Sequence, residues 1–202
     1  MTRIGAFAAA WLAALLCWSA AHATDLEPAM QAKVSAKTRQ IQAWAAEAAI
    51  VDAVKAYNAG KSAQAASMDQ SKWQATSVID PYVRGLTKTP AAELLKNHRR
   101  ASGEVIAEAF LSGADGGKVA FLGKPSSWSH QGKDKHDEPM SGRIWQGEVE
   151  IDASSGLRQV QVAVPVLDGR KPIGSLVVGL SLNALAQQPP QGSQQTSSVS
   201  AR

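Results

Sequence analysis

Cysteine is almost absent from this chain of 202 residues, which contains only one. A single cysteine excludes an intramolecular disulfide framework, and it excludes zinc and iron–sulfur sites built on several thiolates. The excess of positive over negative charge is also small, because the chain has 21 Lys and Arg and 17 Asp and Glu. This small, scattered excess argues against binding to nucleic acid. The 45% of hydrophobic residues predicts one globular domain, or at most two.

Sequence motifs of catalysis are missing as well. The chain has no Gly-x-Ser-x-Gly elbow, no Ser-x-x-Lys and no glycine-rich phosphate loop. Ser126, Ser127 and Ser129 lie near His130, but a serine close to a histidine is common in loops. We therefore expect neither enzymatic activity nor a cofactor.

Long apolar runs are confined to the N-terminus. A basic start at Arg3 is followed by an apolar run from Ile4 to Trp18, and Ala21-His22-Ala23 has the small-x-small form of a cleavage site. This order predicts a signal peptide over residues 1–23, cleaved after Ala23, and export to the periplasm if the source has two membranes. The alternatives are an uncleaved anchor, for which the run is shorter than the roughly 20 residues of a membrane span, and lipidation at Cys17, where Leu16 is too large for the processing site.

The C-terminal residues 186–202 are rich in Gln and Ser and contain almost nothing apolar. Such a composition predicts a disordered tail. Residues 24–185 remain as a single folded domain of ordinary size.

The first part of that domain, residues 24–60, has apolar residues at helical spacing from Leu26 to Tyr57. The spacing predicts one long helix that ends near Gly60. Its alanine-rich stripe either packs on a sheet or forms the seam of a homodimer. Residues 61–102 predict a helical arm, with short helices from Asp69 to Val83 and from Thr89 to about Lys96.

Residues 103–185 have the pattern of strands. Two apolar runs flank the turn at residues 113–117, which indicates a hairpin. In the run from Val160 to Val166 the valines share one face, and Gln159 and Gln161 lie on the other. Asp168-Gly169 marks a second hairpin turn. The prediction is an α+β fold, with a long N-terminal helix and a helical arm packed on a mostly antiparallel, PAS-like sheet of about five strands.

This order of elements, with its motifs, resembles the Cache group of extracellular sensor domains. The most specific part is a strand over residues 160–169 that contains Pro165-Val166, followed by a turn and an Ile-Gly-x-Leu strand at residues 173–176. A loop at residues 125–128 and the segment 147–155 occupy the expected places between the earlier and later strands. The good match covers about 25 residues, and a looser match covers roughly 100.

The resemblance implies a pocket for a small organic ligand between the sheet and the loop-and-helix arm. The implied ligand-binding residues are Tyr82, Arg84, Trp128, Lys133, Trp145 and Asp168. It also implies a non-catalytic sensor that reports to a separate membrane-bound kinase or chemoreceptor. The residues after Trp128 depart from the acidic and aromatic run of many relatives, so the resemblance leaves the ligand class open.

Four of these residues also have an ordinary structural explanation. The two tryptophans either stack on a ligand or pack in the core. Arg84 offers a planar fork of donors to a carboxylate, or it forms a surface ion pair. Asp168 either binds a ligand or serves the turn that contains it.

Two further hypotheses stay open from the sequence. The loop at residues 130–138 contains imidazoles and carboxylates, and His130, Asp134 and His136 are its metal-binding candidates, although polar loops of this kind are usually solvated. Alternatively, the chain is a protein–protein interaction module without a small ligand.

Overall fold

The computed structural model describes residues 26–151 and 158–189. The predicted signal peptide with its cleavage site at Ala23, and the tail from residue 190 onward, lie outside the described residues. The helices of the described part are α1 (Pro28–Ala45), α2 (Ala48–Ala59), α3 (Ala63–Ser67), α4 (Gln70–Ala75), α5 (Pro81–Leu86), α6 (Pro90–Ser102), α7 (Asp134–Met140) and α8 (Leu182–Gln187). The strands are β1 (Ile106–Gly113), β2 (Lys118–Phe121), β3 (Trp145–Ile151), β4 (Arg158–Asp168) and β5 (Lys171–Ser181).

The sheet confirms the predicted fold class. Its five strands run in the order β2-β1-β5-β4-β3, and every neighbouring pair is antiparallel. The valines of β4 and the Leu176, Val178 and Leu180 side chains of β5 are all fully buried on one face, which we name the first face. Their alternation with the residues between them is the pattern that predicts a strand with two distinct faces.

Two helices stand where the sequence predicts a single long one. The N–H of Ala46 closes α1 on the carbonyls of Ala43 and Trp44, and Glu47 then adopts an extended backbone before α2 begins. His98 of α6 stabilises this break, because its ring stacks on Trp44 with 4.3 Å between centroids and its Nε2 lies 2.6 Å from Glu47 Oε1. The break depends on a residue 51 positions away, so local helical spacing does not reveal it.

The apolar stripe of these two helices packs on the sheet, which is the first of the two roles predicted for it. Val34 and Ile41 of α1, with Ile50 and Val54 of α2, are completely buried in the core on the first face. Burial of four such side chains contributes several kcal/mol to folding, at roughly 1.5–3 kcal/mol for each.

The arm consists of short helices that begin at side-chain caps. Ser62, Asp69, Asp80 and Thr89 each accept a hydrogen bond from a backbone N–H in the first turn of the following helix. Capping satisfies donors that a helix start leaves free. α6 continues six residues beyond the predicted end near Lys96, to Ser102, and the φ of 63° at the following Gly103 favours glycine.

The last helix, α8, is fixed to the first. Lys33 of α1 donates its Nζ to the carbonyl oxygens of Leu185 (2.8 Å), Ala186 (3.1 Å) and Gln188 (2.7 Å). A lysine is favoured there because the last carbonyls of a helix carry partial negative charge. The helix extends to Gln187, two residues beyond the predicted end of the domain. Within residues 26–151 and 158–189, no helix has both the length and the hydropathy needed to cross a membrane.

We predict that Lys33→Met lowers the free energy of unfolding by about 1–3 kcal/mol, because three carbonyls lose a charged donor. Urea denaturation followed by circular dichroism measures the change. Lys88→Met, at an exposed lysine of the arm, is the matched control. Equal stability of the two variants would contradict the role assigned to Lys33.

Candidate functional site

The other side of the sheet, which we name the second face, carries side chains in four rows across the strands. Residues directly opposite one another in antiparallel strands share a face, so the register assigns each row. The first row holds Ser112, Lys118 and Ser175; the second Phe110, Phe121, Ala163, Val177 and Trp145; the third Glu108, Gly179 and Gln161; and the fourth Gln159, Ser181 and Glu150. An aromatic row therefore lies between two polar ends.

Residues of the arm and of the loop before α7 cover the aromatic row. Trp73, Val83 and Trp128 are buried there, and Tyr82 packs against them. The ring of Trp128 lies 5.2 Å from that of Trp73 and 6.2 Å from that of Tyr82. Trp73 donates its indole N–H to the carbonyl of Pro125 at 2.7 Å, which fixes the loop to the arm. Aromatic rings in this arrangement provide a large apolar surface with a defined geometry.

At one polar end, Lys118 is completely buried without a carboxylate in contact. Its Nζ donates to Gly116 O (3.0 Å), Ser112 Oγ (3.2 Å) and His130 Nδ1 (2.8 Å). Burial of the ammonium group lowers the pKa of Lys118 to about 7.

The two histidines of this end are neutral and hydrogen-bonded. His130 Nδ1 accepts from Lys118, and burial together with the Lys118 charge lowers the pKa of His130 to about 3. His136 Nε2 donates to Ala114 O at 3.3 Å, which leaves Nδ1 to accept from the hydroxyl of Ser175 at 2.8 Å. Burial also lowers the pKa of His136. This end is a satisfied polar core.

The other polar end is half-buried and carries opposite charges that do not meet. The side-chain amide of Gln161 donates to Glu108 Oε1 and accepts from Lys135 Nζ of α7. Lys135 Nζ also lies 5.9 Å from the ring centroid of Trp145. The Gln161 amide thus separates an acidic group from a basic one beside an aromatic ring.

A glycine holds the Trp145 ring in place. A Cβ added at Gly147 would lie 2.6 Å from Trp145 Cη2, so the indole folds back over the strand only because this position has no side chain. The ring is half-buried and forms one edge of the half-buried end.

The structure brings together three of the six residues that the resemblance implied. Tyr82 and Trp128 belong to the aromatic cluster, and Trp145 packs against it. Arg84 and Lys133 are exposed, and Asp168 forms an ion pair of 3.1 Å with Lys55 at the tip of a hairpin. Whether any of the six binds a ligand stays a prediction.

The described residues contain no cluster of ligands that would support the metal-binding hypothesis. His136 uses both of its ring nitrogens in hydrogen bonds and His130 uses Nδ1, while Asp134 is an exposed residue at the start of α7. In the described ranges, no three His, Cys, Asp or Glu side chains are grouped so that they could hold a metal ion.

No sequence motif indicates a ligand role for five polar residues of this face, Glu108, Lys118, Lys135, Gln159 and Gln161. The alternation in β4 did place Gln159 and Gln161 on the face opposite the core valines, and that signal leads to the half-buried end. Lys118 gave no such signal, because a lysine at a strand start is usually exposed.

Comparison with known proteins gives structural matches only. No family model matches the sequence, and no curated protein matches it. The fold is similar to the ligand-binding domain of the Pseudomonas aeruginosa PAO1 amino acid chemoreceptor PctC in complex with GABA, at 14% identity and a TM-score of 0.44, over 77% of this chain and 56% of that one.

Two further domains are similar. The ligand-binding domain of the Campylobacter jejuni chemoreceptor Tlp3 in complex with L-norvaline matches at 16% identity and a TM-score of 0.42, over 79% of this chain and 59% of that one. The Vibrio cholerae histidine kinase DctB sensor domain matches at 16% identity and a TM-score of 0.37, over 78% of this chain and 59% of that one.

The chain is similar in fold to sensor domains, as the sequence resemblance indicates. It spans less than two thirds of the length of these three domains, between 56% and 59%.

Lys118 predicts a pH-dependent stability. Its pKa of about 7 in the fold is below the ordinary 10.5 of the unfolded chain, so between these values the unfolded state binds the extra proton. The free energy of unfolding should therefore rise from pH 7 to pH 9 by up to about 1 kcal/mol per pH unit through this group. Lys118→Met should flatten that rise.

Urea denaturation at pH 6, 7, 8 and 9 tests this expectation. Lys171→Met, at an exposed lysine, controls for the loss of one positive charge. Parallel profiles for wild type and Lys118→Met would show that Lys118 keeps its proton throughout this range.

Proposed function

We propose that this chain is an exported, non-catalytic domain that binds a small polar organic molecule, a carboxylate or an amino acid, at the half-buried end of the second face. The observation that carries the proposal is the separation of Glu108 from Lys135 by the Gln161 amide. Half-buried opposite charges so close together ordinarily pair directly. Here each charged group bonds to a neutral amide instead, so neither charge is neutralised and both groups can still bond to a ligand.

Lys135 is the group that suits a carboxylate. Its ammonium has three N–H donors, and the bond to Gln161 uses one of them. A charge-assisted bond from a half-buried lysine to a carboxylate is about twice as strong as a neutral one. Trp145, beside this ammonium, and the aromatic cluster next to it supply apolar surface for the rest of a small molecule.

The absence of catalysis in this proposal rests on the histidines. His130 and His136 are buried, hydrogen-bonded and held neutral by lowered pKa values. A general base needs a free nitrogen near a nucleophile, and both Nδ1 atoms are engaged by Lys118 and Ser175.

We further propose that the domain acts in the periplasm and passes ligand occupancy to a separate membrane-bound kinase or chemoreceptor. The predicted signal peptide supports the compartment. Helices α1 and α8, which Lys33 joins, offer a route because both pack on β4, the strand that carries Gln161. A homodimer through the first helix also stays a prediction. The apolar stripe of that helix is buried within the domain, so a dimer contact would use other residues of the helix.

A second candidate, the protein–protein interaction module, is favoured by one observation. Val78 and Ile79, adjacent between α4 and α5, are 63% and 73% exposed. Neighbouring exposed aliphatic side chains of this kind mark contact surfaces when they belong to a larger patch.

Isothermal titration of the purified protein with small carboxylates and amino acids tests the ligand-binding proposal. We expect saturable binding that Lys135→Met weakens by about 10-fold or more, because the ligand loses a charged hydrogen bond. Gly147→Ala should also weaken binding, since the added methyl group displaces the Trp145 ring.

Lys88→Met, at an exposed lysine of the arm, is the matched control and should bind as the wild type does. Binding that Lys135→Met leaves unchanged would place the site elsewhere. Absence of binding by every compound, with Val78→Ser and Ile79→Ser abolishing association with a partner, would favour the interaction module.

A further inference from the structure

The fourth row of the second face contains a buried hydrogen-bond acceptor without a donor. Gln159 is 7% exposed, and its Oε1 has no hydrogen-bond partner among the described residues. Buried side-chain oxygens are nearly always bonded, and an unmet one costs roughly 1–3 kcal/mol. A donor that is not part of the described chain would remove that cost.

Glu108 presents a second acceptor to the same place. A Cβ built on Gly179 would lie 3.1 Å from Glu108 Oε1 and 3.3 Å from Gln159 Oε1, so the two oxygens converge over this glycine. The same Cβ would lie 2.6 Å from Glu108 Cγ. Only glycine lets the Glu108 side chain cross β5 toward Gln159.

The charges around this point are mainly negative. Glu150 stands opposite Gln159 in the register of β3 and β4 and so belongs to the same face. The cation that faces the third row is Lys135, and the Gln161 amide lies between it and Glu108. Two convergent acceptors require a hydrogen-bond donor, and the carboxylate beside them favours a donor with positive charge.

We propose that Glu108 and Gln159 form a subsite for a primary ammonium group, so that the ligand is an amino acid rather than a simple carboxylate. This inference rests on the proposed function. An ammonium group has three N–H donors, enough to bond both oxygens at once. The carboxylate of the same amino acid then binds Lys135 on the far side of Gln161. A quaternary ammonium group has no N–H donor and is rejected.

Four matched pairs of probes test the subsite by isothermal titration of the purified protein: acetate and glycine, propionate and L-alanine, valerate and L-norvaline, succinate and L-aspartate. In the pair that binds best, we expect the amino acid to bind about 10-fold more tightly or better, because it adds a charge-assisted bond. The α-trimethylammonio derivative of that amino acid should lose the advantage.

Variants assign the effect to these side chains. Glu108→Gln should reduce the preference for the amino acid about 10-fold, because the ammonium group loses a charge-assisted bond, while the affinity for the carboxylate should not fall, since the variant removes a negative charge. Gln159→Leu should also reduce the preference, yet it should keep or raise the melting temperature of the free protein because it removes an unmet acceptor. A merely structural role for Gln159 would not combine these two results. Glu104→Gln, at an exposed carboxylate, is the control.

Two outcomes overturn the inference, and they differ. If a carboxylate binds as tightly as its amino acid, or if Glu108→Gln keeps the preference, the ammonium subsite is wrong while the proposed function stands. If none of the eight probes binds, the proposed function fails together with the subsite.

Discussion

The rest of the structure depends on the burial of the central strand β5 on both of its faces. From Gly174 to Ser181 every residue of this strand is buried. Helices α1 and α2 cover the first face, where aliphatic side chains pack in the core and need no hydrogen-bond partners. Helices α3 to α5 of the arm, together with α7, cover the second face, so polar residues there lose their water. Each must then find a partner within the protein or be satisfied by something that binds to it.

The two polar ends of the second face meet this requirement in different ways. At the Lys118 end, a serine, a carbonyl and one histidine form a closed set of bonds with the ammonium group, and burial lowers the pKa values of Lys118 and His130. At the Glu108 end the set is open, since Gln161 holds two charges apart and Gln159 Oε1 has no partner in the described part of the chain. The closed end fixes the loop before α7, and we propose that a ligand completes the bonding at the open end.

Local sequence patterns predict most of the helices and strands, and tertiary contacts cause the differences from that prediction. The alternation of β4 and the Asp168-Gly169 turn led directly to the antiparallel sheet. The break at Ala46 and Glu47 could not be predicted, because it depends on stacking between Trp44 and His98. For the site, the resemblance implies Trp145 and Tyr82, which lie at the aromatic cluster, and also Arg84, which is exposed. The sequence does not indicate that Glu108 lies on the second face, because a bulge next to this residue in β1 obscures the alternation of the strand.

Nuclear magnetic resonance of the tryptophan indole N–H groups tests the central claim, binding at the second face, most directly. Trp145 lies on that face, and Trp44 packs against His98 on the other side of the sheet. Titration of the ¹⁵N-labelled protein with the probe that binds best should shift the Trp145 resonance saturably and leave that of Trp44 in place. A saturable shift of Trp44 without one of Trp145 would contradict the account.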